Sequence, residues 1–219
     1  MDAEFLIGEL KAQPESFFEE GRGYDLLKEY FGGADITSLI ELLACENLSV
    51  RKTAVWIVSE LGKEAAPIVE AVFPLLDDDE RYVRYYATEI VMVCSGAGVK
   101  GLFHQVVSAL EDNDHAIRKL GMFLISNAAL SQLEEAVRYF SGTGDLVHVR
   151  GLRSLLVASD EVGLADEPRS DLYGTNSIAA MYKAISLRRH FENTGRKAVF
   201  QLDQIQDEAT KEFLAERLM

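Results

Sequence analysis

Bases, cysteine, proline and long apolar runs are all scarce in this sequence, and each scarcity excludes something. Only 22 lysines and arginines face 36 acids, a formal net charge of -14. A field of that sign repels phosphate backbones and anionic membrane surfaces and attracts basic partners, although it is also the charge of an ordinary acidic soluble protein. Cys45 and Cys94 are the two cysteines; they suggest no disulfide framework and stand too far apart for a metal knuckle. Prolines occur only at positions 14, 67, 74 and 168, so helices have room to run between them. Met1-Asp2-Ala3-Glu4 places acids where a signal peptide needs bases, and no long apolar run follows. A cytoplasmic chain with no membrane association is expected.

The parts of an active site are also missing. His104, His115, His148 and His190 include no pair at an i, i+4 ligand spacing, and none sits beside a cysteine. No Gly-x-Ser-x-Gly, phosphate loop or dinucleotide fingerprint is present. The acidic runs lack the alternating ligands and central glycine of a calcium loop. No enzyme, cofactor or metal is therefore expected, bearing in mind that helical repeats can assemble sites from distant residues.

What is present is a repeat. Asn47-Leu48-Ser49-Val50-Arg51, Glu80-Arg81-Tyr82-Val83-Arg84, Asp114-His115-Ala116-Ile117-Arg118 and Leu146-Val147-His148-Val149-Arg150 align, with their arginines 33, 34 and 32 residues apart. In the first three an acid or amide lies four before the arginine, where it caps or charges a helix start. A small residue follows three later: Ala54, Ala87 and Gly121. Arg153 breaks this rule in the fourth copy. Apolar residues then recur at helical spacing, as in Val50, Ala54, Ile57, Val58 and Leu61. The small residue allows a close helix crossing. First helices of each pair are predicted at Asp35 to Ala44, Pro67 to Leu76, Val99 to Leu110 and Ser131 to Phe140, with Pro67 in a first turn. Gly62 and Ser95-Gly96-Ala97-Gly98 mark returns between pairs.

Val50-Arg51…Ala54, Val83-Arg84…Ala87 and Ile117-Arg118…Gly121 resemble the Val-Arg-x-x-Ala signature of HEAT repeats in their short bacterial form. The resemblance covers roughly residues 33 to 160. It implies an all-α fold, a right-handed α-solenoid of helical hairpins with helical caps at both ends, forming a single continuous domain. Capping helices occupy 1–32, four repeats 33–161, and a loop with further capping helices 162–219. The N-terminal caps are Asp2 to Lys11 and Gly23 to Phe31; the loop is Val162 to Thr175; the last helices are about Asn176 to Phe191 and Lys197 to Leu218. The resemblance further implies that Arg51, Arg84 and Arg118 are structural, bonding Asn47, Glu80, Asp114 or nearby acids.

Candidate binding residues follow from the wheel. With Ala54 set toward the core, Trp56 points roughly 200° away. Glu89 and Phe123 align with it, flanked by Lys52, Tyr85 and Lys119 and by Met92. The HEAT resemblance makes this the concave wall, where exposed aromatics suit a binding surface. Trp56 packed sideways on an adjacent helix, or beneath the N-terminal cap, is the alternative. Asp77, Asp78 and Asp79, with Glu111 and Asp112, occupy the same turn of successive repeats; they form a steering ridge or cap their own helices. Lys183, Arg188, Arg189, Arg196 and Lys197 form a basic island, which meets phosphate or balances those acids.

Gly23 to Phe31 together with Val55 to Gly62 is similar to small acidic HEAT-like proteins found beside bacterial polymorphic toxins. That similarity implies an immunity protein, one that binds and neutralises a cognate basic toxin. Another protein is thus the expected partner, nucleic acid is not, and the oligomeric state is open. The alternatives are a DNA-glycosylase-like or lyase-like HEAT enzyme, or a scaffold without inhibitory role.

Overall fold

A computed structural model describes residues 2–158, 177–195 and 202–218, and among these the chain is helical with no strand. The predicted loop Val162 to Thr175, Arg196, Lys197 and the start of the last predicted helix lie outside the described residues. No described helix is long and apolar enough to cross a membrane. Contacts gather the chain into two compact units, 1–99 and 100–219.

The first unit opens with α1 (Ala3–Ala12), α2 (Pro14–Glu19) and α3 (Arg22–Phe31). Asp2 caps α1 by accepting the Phe5 N–H at 2.9 Å, and Pro14 starts α2, its missing N–H costing nothing at a first turn. A short 3₁₀ turn, Ile36–Ser38, runs into α4 (Leu39–Leu43), followed by α5 (Leu48–Leu61) and α6 (Arg81–Gly96). Gly62 ends α5 at φ 59°, a left-handed conformation that favours glycine.

The predicted helix Pro67 to Leu76 is instead part of a 3₁₀ stretch, Gly62–Asp77, and Pro67 lies within it rather than at a helix start. Pro67 and Pro74 disfavour an α-helical interior, because each lacks an N–H and clashes with the carbonyl four residues back. Three residues per turn then stacks Val69, Val72 and Leu75 on one stripe, with Ala65 and Ile68 beside it, and all five are buried. The stretch packs on α4, α5 and α6.

The second unit contains α7 (Phe103–Ser108), a 3₁₀ turn Ala109–Glu111, α8 (His115–Ser126), α9 (Leu130–Thr143), α10 (Leu146–Ala158), α11 (Ser177–Thr194) and α12 (Glu208–Leu218). Of the other predicted first helices, Asp35 to Ala44 is split between 3₁₀ and α, Val99 to Leu110 starts later and ends in 3₁₀, and Ser131 to Phe140 lies inside the longer α9, while the predicted apolar stripe Val50 to Leu61 falls within α5. α11 packs on both α8 and α10, and α12 on α8.

One device recurs at the start of α5, α6 and α8. Asn47, Glu80 and Asp114 cap them, accepting amide N–H groups with their side chains. Four residues on, an arginine reaches back so that its Nη1 donates to two turn carbonyls. Arg51 takes Cys45 and Glu46 (2.8 and 3.2 Å), Arg84 takes Asp78 and Asp79 (2.7 and 3.2 Å), and Arg118 takes Asp112 and Asn113 (2.9 and 3.1 Å). Arg51 also pairs with Asp78 at 2.7 Å, and Arg118 with Asp207 at 3.1 Å. The caps therefore serve their own helices, and the arginines hold the turns.

The fourth copy departs from this. Asp145 Oδ1 accepts the Val147 and His148 N–H groups at 3.1 Å each, as Asn47 does for Ser49 and Val50. Counting from that cap, buried Val149 stands where the arginine stands elsewhere, and Arg150 is exposed. The sequence alignment is off by one residue there, because the Val-Arg pair outweighs the cap when only residue types are compared.

Candidate functional site

Trp56 is not on an open wall. It is 8% exposed, because α2 and α3 fold over the face of α5 that the wheel turns outward. Phe18 and Tyr24 meet it edge-on, with ring centroids at 5.5 and 5.0 Å. Gly23 makes the approach possible, since a Cβ there would sit 3.2 Å from the indole. A wheel sees one helix, and the six residues of α2 were left without an assignment in the sequence. Their signal was nevertheless present, a proline followed by an acid and two phenylalanines.

The same folding creates a groove of ≈ 430 Å³ bordered by α2, α5 and α6. Pro14, Phe18, Trp56, Tyr82 and Tyr86 supply its apolar walls, and Glu15, Glu19 and Lys52 its charged rim. Phe18 and Tyr82 are each 50% exposed, so the walls are accessible from solvent. Lys52 lies over the Tyr82 ring at 5.3 Å, as does the Arg81 guanidinium at 4.9 Å. Burial pushes the Tyr86 hydroxyl pKa up, and the nearby Glu89 and Glu60 charges add to it. The carboxyl pKa of Glu89, half-buried on α6, is itself raised from its ordinary value, first by burial and then by Glu60. Tyr85 is half-buried and edge-on to Tyr86 at 5.7 Å, and Met92 is half-buried.

In the second unit the outward face of α8 is partly covered. Lys119 donates to Glu216 at 2.9 Å and pairs with Glu212 at 3.0 Å, both on α12, and the Glu216 bond leads in raising its pKa. Phe123 keeps 38% exposure but carries the Arg188 guanidinium over its ring at 4.8 Å. Phe123 thus stays on the outward face, while Lys119 is engaged by α12, because α11 and α12 return across α8 rather than lying only beyond the last hairpin.

The turn acids divide. Asp78 and Asp112 are structural, their Oδ1 atoms accepting the N–H of Glu80 (2.9 Å) and Asp114 (2.7 Å). Asp77, Asp79 and Glu111 are exposed. The described part of the basic island is internal. Lys183 and Arg188 are buried, and Arg189 donates to the carbonyls of Ile125, Ser126 and Ala128 at the end of α8, where a cation is favoured.

A second cluster was not read from the sequence, although Glu111 was noted there as a turn acid and His148 among the histidines. One ligand atom each from Glu111, Asp145 and His148 lies within 4.8 Å of the others. These residues come from the end of the 3₁₀ turn Ala109–Glu111 and from the start of α10 with its cap, and the local signal is an Asp-x-x-His spacing. No family model, curated protein or solved structure matches this chain.

Proposed function

We propose that this chain is a non-catalytic protein-binding module of the HEAT-like solenoid type. In this proposal the groove between α2, α5 and α6 takes a bulky apolar side chain from a basic partner protein. The observation that carries it is the exposed aromatic lining of that groove, Phe18 and Tyr82 around the edge of Trp56. Aromatic pockets of this kind supply the few contacts that dominate interface affinity. A net charge of -14 and the rim carboxylates of Glu15 and Glu19 favour Lys and Arg around that anchor. Within this function, the more specific role is that of an immunity protein which neutralises a basic toxin by occupying it stoichiometrically.

The test is direct binding to a toxin-like protein encoded beside the gene. Wild type is expected to bind at one to one and to suppress its toxicity, with Glu15→Lys/Glu19→Lys at least tenfold weaker. Binding of duplex DNA instead, or equal binding by the double variant, would contradict the proposal.

A further inference from the structure

We propose that Glu111, Asp145 and His148 form a binding site for one divalent transition-metal ion, with Zn²⁺ the best fit, and that Tyr182 orients the imidazole for it. His148, in the first turn of α10, is 0% exposed. Its ring is held from two sides, by Phe140 at 4.6 Å between centroids and by Tyr182, whose hydroxyl lies 2.8 Å from Nδ1. The other nitrogen, Nε2, is buried and has no hydrogen-bond partner among the described residues. A buried imidazole nitrogen without a partner is costly and needs an explanation.

That nitrogen faces carboxylates. Glu111 Oε1 is 3.4 Å away, and Asp145 completes the group within 4.8 Å. A tetrahedral ion with bonds of about 2.0–2.1 Å sets its ligand atoms about 3.3–3.4 Å apart. The Nε2 to Oε1 separation is therefore that of two ligands on one ion. The arrangement around it also suits metal binding. With the Nδ1 proton donated to the Tyr182 oxygen, the Nε2 lone pair is left for the metal, the second-shell pattern that fixes a ligating histidine. Asp145 is anchored by the two amide N–H groups it caps, and the Glu111 side chain, 55% exposed, gives the ion a path from solvent. One imidazole and two carboxylates suit Zn²⁺, with a remaining position for water.

The alternative is the other tautomer, in which the Tyr182 hydroxyl donates to Nδ1 and the ring proton sits on Nε2 facing Glu111. Calorimetric titration of the full, chelator-stripped chain with ZnCl₂ distinguishes the two. Wild type is expected to bind one Zn²⁺ in the micromolar range or tighter. His148→Gln should abolish binding; because that residue is buried, Glu111→Gln is the decisive variant. It alters an exposed side chain, should leave the circular dichroism unchanged, and should weaken Zn²⁺ at least tenfold. Wild type that binds no Zn²⁺ at micromolar concentrations, or Glu111→Gln that binds it as well as wild type, would overturn the site.

Discussion

At the scale of single residues, two positions decide more than the sequence reveals. Gly151 is flanked by the Tyr182 ring so closely that a Cβ would lie 2.1 Å from it. Gly151→Ala must displace that ring and with it the bond to His148, a cost of about 1–3 kcal/mol in denaturant unfolding. Asp78, 8% exposed, accepts both the Arg51 guanidinium and the Glu80 N–H. Asp78→Ala should destabilise by about 2 kcal/mol, read as a lower urea midpoint at unchanged slope. The arginines were legible because a charged residue recurring every 33 residues or so in an apolar context asks for a fixed partner. Their partners were not, since backbone carbonyls carry no sequence signature. Trp56 shows the converse limit: its angle on α5 was read as outward, yet what covers it comes from elsewhere in the chain.

At the scale of elements, the second helices were readable, and so was the first helix that became α9, whereas the type of the Gly62–Asp77 stretch was not. α5, α6 and α8 each carry a cap, a 3.6-residue apolar stripe and a small residue at the crossing, three signals that agree. At Gly121 a Cβ would stand 3.2 Å from Ala109 Cβ, and Ala87 is 0% exposed. Ala87→Asp should cost at least about 3 kcal/mol and abolish cooperative unfolding, because a charge there is buried without a partner. The 3₁₀ stretch Gly62–Asp77 escaped because apolar residues three and four apart fit either helix type; only its two prolines argue against α. On α6, Glu89 makes a pH prediction. Its carboxyl pKa is raised in the fold, so the folded state holds the proton longer than the unfolded chain, whose value is near 4.5. Stability contributed at this site is highest below that value and falls as pH rises through the folded pKa. Glu89→Gln should therefore raise the thermal midpoint at pH 7 and lose that advantage toward pH 4.

At the scale of the whole molecule, the proposed function joins the chain's acidity to its aromatic groove. Composition showed the first plainly. The groove depends on α2 folding across α5, which no local pattern encodes, and so its lining includes Pro14, Phe18, Tyr82 and Tyr86, none of which the wheel picked out. The helical class was legible for the opposite reason, since it is written in every cap and stripe. Trp56, the one tryptophan in the chain, lines that groove and so reports on its occupancy. The most direct test is a fluorescence titration of the full chain with a short peptide carrying a central Phe flanked by Lys and Arg. The account predicts a saturable change in Trp56 emission that weakens with added salt and disappears in Glu15→Lys/Glu19→Lys. An equal response to the same peptide with Glu in place of its bases, or no saturable response to either, would contradict it.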